Sequence, residues 1–201
     1  MTEPRQHVWV RYQHAPDHQR QRLLIAARKA VATEPGTVPE VWPLYTSSAM
    51  ALIAAEHAAA GIWGTHQQGD TRPVHEARAD ANPWPTNFGG ACRKLFDAQF
   101  STDPTIKSPL DTFAEDTISK RLAVLSRTDE VPVAVAHITS LVRLMRSTDN
   151  HISFDYNDLY RALRDWSDPD ERTKVLYRWS RSYFHVPSKK KTATAGRAGG
   201  K

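Results

Sequence analysis

Apolar residues recur at three- and four-residue intervals along almost the whole chain, the period of helices that bury one face. Asp17–Val31 reads as a helix with Leu23, Leu24, Ala27 and Val31 on one side. The stretch TEPGTVPEVWPLY then brings three prolines and a glycine, and no helix is expected across it. Ser47 or Ser48 is placed to cap a helix running to about Trp63, with Leu52, Ala59, Ala60 and Trp63 as its stripe. Gly64–Pro85 is polar and punctuated by proline, which predicts a mobile surface loop.

The second half repeats the pattern more strongly. A shorter helix should follow Asn87, carrying Ala91, Leu95 and Phe96, before a Pro- and Ser-containing break at Ser101–Leu110. Glu115–Arg127 places Ile118, Leu122 and Leu125 on one face, and Asp129–Arg146 does the same with Ala134, Ile138, Leu141 and Met145. After the turn STDNH, Asp155–Trp166 offers Leu159, Leu163 and Trp166. Asp168 with Pro169 opens a last helix bearing Val175, Trp179 and Tyr183. Strand-like alternation is confined to HVWVRY near the start, too short to count as a strand. The predicted class is all-α.

Composition narrows the function. Hydrophobic residues at 40% and charged residues at 24% describe a soluble globular chain with enough material for a core. The longest apolar run, Ala49–Ala60, is interrupted by Glu56 and His57 and is too short to span a bilayer. MTEPRQHVWVRYQ lacks the apolar core of a signal peptide, and Cys92 as the single cysteine excludes an intrachain disulfide framework. Together these point to the cytoplasm. The net charge of +5 is less telling than it looks, because Lys189, Lys190, Lys191, Arg197 and Lys201 account for all of it. From His185 on there is nothing to bury, so that Lys-rich tail is expected to be disordered. The body before it is electrically balanced, and any binding must depend on where its charges sit.

Catalytic signatures are missing: the chain has no HExxH, no GxSxG and no glycine-rich phosphate loop after a strand. His57, His66 and His75 lack ligand spacing and read as solvated or incidental. The carboxylates gather at helix starts, where they complement the helix dipole, rather than in a metal-holding cluster. Cys92 reads as a buried structural thiol. No enzyme, cofactor or metal is predicted.

The cations are more suggestive. With Ile118 at the centre of the buried face, Lys120 and Arg127 fall on the solvent side and Arg121 on the border of the stripe. Arg143 points away from Ile138 and Met145, with Arg146 on the flank. Arg93 and Lys94 belong to the helix after Asn87, and Arg28 and Lys29 to the first helix. Such faces would contact phosphates without reading bases, with an affinity that falls steeply with salt. The alternative is that Arg127, Arg143 and Arg146 merely complement helix carboxyl ends.

The order of segments supplies a resemblance. Arg28-Lys29, VWPLY, an Ala-rich helix, NFGGACRKL, ISKRLAVLSRTDE, the LVRLM helix, ISFDYNDLYRALRDW and VLYRWSRSYF follow one another as in the CasB family. That family is the small subunit of the type I-E CRISPR surveillance complex, Cascade. The likeness covers roughly residues 20–184. It implies two small helical bundles, here 1–85 and 86–184, with the tail beyond, and a second copy of the chain as neighbour. It implies other Cascade subunits, backbone and large, as partners, and no catalytic residue or cofactor. It also implies contact with guide RNA and with target or displaced DNA strands through basic grooves that stabilise the opened target. Carried over by position, Phe88-Gly89-Gly90 leading to Arg93, the pair Lys120-Arg121, Arg127, Arg143 and the pair Arg28-Lys29 match the family's basic positions. The chain departs from the pattern in having Leu122 where an aromatic residue is usual, and in a longer Phe100–Ala114 stretch and tail. Two rival functions stand beside this one. One is a purely structural protein–protein subunit. The other is a helix-turn-helix regulator reading duplex DNA through Arg172, Lys174, Arg178 and Arg181.

Overall fold

The computed structural model describes residues 6–77, 86–112 and 115–184. These contain eight α-helices: α1 (Val8–His14), α2 (Asp17–Ala30), α3 (Met50–Gln67), α4 (Phe88–Phe100), α5 (Thr117–Leu125), α6 (Val131–Arg146), α7 (Tyr156–Arg164) and α8 (Pro169–Tyr183). A 3-10 turn spans Pro39–Leu44. No strand forms among the described residues beyond a single parallel bridge between His75 and Phe154.

Four of the eight described α-helices start on a side-chain cap. Asn87 accepts from the backbone N–H of Gly90, Asp116 from Ser119, Asp155 from Asn157, and Asp168 from both Asp170 and Glu171. Each bond satisfies an amide that the first turn leaves open, and an N-cap of this kind stabilises a helix by about 1 kcal/mol. Of the carboxylates at helix starts, Asp116, Asp155 and Asp168 serve as caps, whereas Glu130 at the N-cap of α6 makes no side-chain cap bond. The helix beginning at Met50 is the exception to expectation: Ala49 occupies its N-cap, with no side-chain cap from Ser47 or Ser48.

The centre of the molecule is α3, which packs against α2, α6 and α7. From Ala55 to Gln67 nearly every residue is buried. A helix enclosed on several sides must let its neighbours come close, and small residues permit that. A Cβ on Gly64 would lie 2.7 Å from Cβ of Ala27 on α2. The same pressure corrects the predicted face of α2: Ala26, Ala27 and Ala30 are its buried residues, Leu23 and Leu24 are half-buried, and Val31 is exposed. The alanine edge faces α3 because only a short side chain fits between the two backbones. Gly89 performs the same role where α4 meets α8, since a Cβ there would run into the Trp179 carbonyl and lie 2.6 Å from Trp179 Cα.

Two other expectations are overturned, for Gly64–Pro85 and for the proline-rich stretch, and HVWVRY, left without an assignment, proves helical. Gly64–Pro85 is not a surface loop throughout: Gly64–Gln67 complete α3, and Val74 and His75 are buried. The polar side chains that suggested a loop are satisfied internally. Thr65 donates to the Gly61 carbonyl, and Gln67 donates to the carbonyls of Asp70 and Arg72 while accepting from the Val74 N–H. Residues 78–85, including Trp84, lie outside the described residues, as does the tail from His185. HVWVRY is helical, with Val8, Trp9 and Tyr12 buried, and Trp9 donates from Nε1 to Asn157 Oδ1 at 2.9 Å. The proline-rich stretch does contain helix, as the short 3-10 turn that accommodates Pro43. Trp166 and Trp179 are core residues, as their apolar stripes predict. The buried apolar residues of both chain halves form one cluster.

The helix junctions make a direct prediction. Gly89→Ala forces a methyl group into the α8 backbone and should destabilise the fold by about 3 kcal/mol, read as a lowered denaturant midpoint at unchanged slope. Ala98→Gly, a half-buried site on the same helix, should cost only about 1 kcal/mol.

Candidate nucleic-acid interface

The hairpin of α5 and α6 is built from two amphipathic helices packed on each other. Its inner face holds Ile118, Leu125, Ala134, Ile138, Leu141, Val142 and Met145. Between Thr117 and Arg127, and again between Val131 and Arg146, the sequence contains no carboxylate. The acids flanking these helices are Asp116, Asp129 and Glu130, and Asp116 is spent on its cap.

The nine cations singled out by sequence fare differently. Lys120, Arg127 and Arg143 are exposed and have no hydrogen bond or ion pair among the described residues, and Arg28 on α2 shares that condition. Lys29 is exposed but ion-paired with Glu40 at 2.9 Å. Arg121 is half-buried, with a buried Nε that lacks a hydrogen-bond partner. Arg146 is exposed and donates from Nη1 to the Thr65 carbonyl and to Gln68 Oε1. Arg93 is only 6% exposed and donates to Asp97 at 2.8 Å, so it braces α4 rather than facing solvent. Lys94 is half-buried, donates to the Ser153 carbonyl at 3.3 Å and lies 3.7 Å from Glu76. Among the described residues, then, four surface cations have no hydrogen-bond or ion-pair partner, Lys29, Arg93, Lys94 and Arg146 are engaged within the chain, and Arg121 is half-buried without a contact of either kind.

The helix-turn-helix alternative is weakened by the same accounting. Arg178 pairs with Asp158 at 2.9 Å, Lys174 with Glu171 at 2.7 Å, and Arg172 donates to the Trp166 carbonyl. Of the four residues meant to enter a groove, Arg181 alone has no such contact among the described residues.

The polar interior was not legible in the sequence. His57, His66 and His75 are buried rather than solvated. His57 bonds the Tyr45 hydroxyl and the Thr33 carbonyl, His66 shares a hydrogen bond with the Tyr156 hydroxyl, and His75 Nδ1 accepts from the Tyr156 N–H. Burial, helped by His151 and Arg146, pushes His66 down to about 3, so its imidazole is neutral at physiological pH. Burial also lowers His75. Glu56 is completely buried, yet burial is outweighed by hydrogen bonds from His7 and from the Thr46 N–H and hydroxyl, which hold its carboxyl below the ordinary range. Without those donors a buried carboxylate would cost several kcal/mol. Cys92 is fully buried and burial raises its thiol, which fits the structural role expected of it. No group of three potential metal ligands occurs among the described residues, and no described helix is long and apolar enough to cross a membrane.

Comparison with known proteins agrees with this architecture. The crystal structure of CasB from Thermobifida fusca shares the fold, with a TM-score of 0.58 over 88% of this chain and 94% of that one, at 17% identity. The fold is therefore that of a small helical protein of the CasB type. The family model for CRISPR-associated protein Cse2 matches residues 24–184, and the chain belongs to that family. Membership implies a subunit of the CRISPR Cascade assembly. No curated protein matched the chain.

The buried histidines predict an acid response. His66 titrates near 3 when folded but near 6.5 when unfolded, so the unfolded chain binds the extra proton across that window. Stability should fall as the pH drops from about 6.5 towards 3, by up to about 1.4 kcal/mol per pH unit for this group. Denaturant midpoints measured across that range should show a shallower pH slope in His66→Gln than in the parent chain.

Proposed function

We propose that this protein is a non-catalytic small subunit of a type I-E Cascade complex. In this reading it holds guide RNA, target DNA or the displaced strand on its basic helix faces and so stabilises the opened target during antiviral defence. A second copy of the chain and the backbone and large subunits of the complex are its neighbours. The observation that carries the reading is the set of exposed cations Lys120, Arg127 and Arg143, without a hydrogen-bond or ion-pair partner among the described residues, on or next to two helices that contain no carboxylate, with Arg28 on α2 as a further such cation. Arg121 and Arg146 lie on the same two helices, and on α2 Lys29 becomes available by releasing Glu40. Lys94 ties α4 to Ser153 and Glu76, and Arg93 pairs with Asp97 along α4 itself.

The physics suits the role. Opening a duplex gives up about 1–2 kcal/mol per base step, and the guide heteroduplex nearly restores it. A few phosphate contacts are then enough to bias the exchange. Sequence is already read by base pairing, so cations on rigid helices serve better than base-edge readers. The competing reading, a purely structural subunit, shares the fold but gives those cations no ligand.

Binding of the purified chain to single-stranded RNA, single-stranded DNA and duplex DNA across a salt series tests this. Single-strand affinity should be independent of sequence and fall steeply with salt. The triple variant Lys120→Glu, Arg127→Glu, Arg143→Glu should lose most of it, with a log–log salt slope shallower by about 2, as expected for three phosphate contacts. Unchanged retention of nucleic acid by a Cascade carrying the triple variant would leave the structural reading instead.

A further inference from the structure

Of the tryptophans among the described residues, Trp9, Trp63, Trp166 and Trp179 are buried in the core, whereas Trp42 is 55% exposed. An indole left on the surface stands out, because tryptophan is highly buried on average. Its position is nevertheless fixed. Trp42 sits in the 3-10 turn Pro39–Leu44, between Pro39 and Pro43, and its Nε1 donates to the Gly36 carbonyl at 3.0 Å. Val41 and Leu44 of the same turn are buried, and Arg11 on α1 donates to the Pro43 and Leu44 carbonyls at 2.6 and 3.3 Å. The turn thus holds a large aromatic ring open to solvent with its orientation set before any partner arrives, which lowers the cost of binding.

Cations gather on the same side. The turn packs on α2, where Lys29 pairs with its one carboxylate, Glu40, at 2.9 Å. Arg22 precedes Lys29 by seven residues, close to two helical turns, so it lies on the same side of α2 about 10 Å further along the axis. There Arg22 lines an open cavity of about 510 Å³ at the corner of α1 and α2. Arg11, which braces the turn, lines it as well, together with His14, Gln19 and Leu23. No carboxylate is among the described residues of that lining. Arg22 and His14 are exposed and have no hydrogen bond or ion pair among the described residues, so both present accessible surface to a ligand.

We propose that this side of the molecule binds single-stranded nucleic acid, with a base stacked on Trp42 and a nearby phosphate in the corner cavity against Arg22 and His14. The inference extends the nucleic-acid reading above to a second surface and does not use the hairpin of α5 and α6. An aromatic platform and a cationic recess lie along one side of α2, linked through Arg11, and the ligand has to answer both. A free anion leaves the ring unused, and an apolar protein surface would bury the arginines without compensation. A strand supplies a ring and a charge in every repeat, and single-strand binders combine these two contacts. Stacking accepts any base, since every base has a π face, so the site binds without reading sequence.

Tryptophan emission gives the test, because the four core indoles are shielded from a ligand. The full-length chain is titrated with a short oligothymidylate and with an abasic strand of the same length. The oligothymidylate should quench the emission and the abasic strand should not. Trp42→Phe keeps a ring, so it should bind within about twofold of the parent while losing the quenching, whereas Trp42→Ala should bind about 5- to 10-fold more weakly. Arg22→Gln should flatten the log–log salt slope by about 0.7, as for one phosphate contact on a single strand. Quenching that survives in the charge-reversed hairpin variant supports the corner as a separate site. Quenching that persists in Trp42→Phe belongs to another tryptophan and overturns the assignment. Strand binding without quenching, unchanged by Trp42→Ala and Arg22→Gln, overturns the corner site and leaves the hairpin reading intact. Normal strand binding by Trp42→Ala, with loss of that variant from assembled Cascade, overturns it in favour of a protein contact. Absence of all binding overturns both surfaces.

Discussion

Close approach of α2 to α3 is the constraint around which the rest of the chain is arranged. Ala27 and Gly64 leave no room for a larger side chain, and that contact draws α3 so far into the body that α6 and α7 can close over its other sides. A helix enclosed in this way can carry few charges, and each polar group it does carry needs a dedicated partner. Glu56, His57, His66 and Gln67 all lie on α3, and each is answered by a residue far along the chain or by a nearby backbone group. These bonds tie the amino-terminal segment, the proline-rich stretch and the start of α7 to one helix.

Charge is sorted by the same architecture. Carboxylates sit where helix amides need them, at Asp116, Asp155 and Asp168, or pair with a cation across a helix junction, as Asp158 does with Arg178. With several acids used in this way, a body with no net charge still presents Lys120, Arg127 and Arg143 without an ion-pair partner among the described residues. Rigid backing matters as much as exposure. Cap bonds at α5, α7 and α8, and the glycine contact of α4 with α8, hold these helices in place.

Membership of the Cse2 family and the shared fold with CasB from Thermobifida fusca agree with the order of sequence segments from Arg28-Lys29 to VLYRWSRSYF. At 17% identity the common property is the path of the chain, maintained by patterns of size and polarity rather than by particular side chains. Arg93 illustrates the difference. Its place in the segment pattern marks it as a basic position of the family, whereas in this fold it lies beneath the surface against Asp97.

The sequence by itself determined the helical class, the positions of α4 to α8 and most of their inward faces, because 3.6-residue periodicity, capping residues and proline are local properties that need no knowledge of neighbours. It also placed Lys120 and Arg143 on the outward side, since a helix that buries Ile118 or Ile138 must turn those residues away; Arg127, expected on the same helix as Lys120, is exposed in the turn that follows α5. Only the tertiary structure decided what depended on contacts between distant segments. HVWVRY became a helix because Trp9 found Asn157, and Gly64–Gln67 remained helical because α2 and Tyr156 supplied partners for residues that look like loop in isolation. The engagement of Arg93, Lys94 and Arg146, and the cavity at the corner of α1 and α2, were likewise beyond local pattern. A residue's own period shows which way it points on its helix, but what meets it there is set by chain that folds back from far along the sequence.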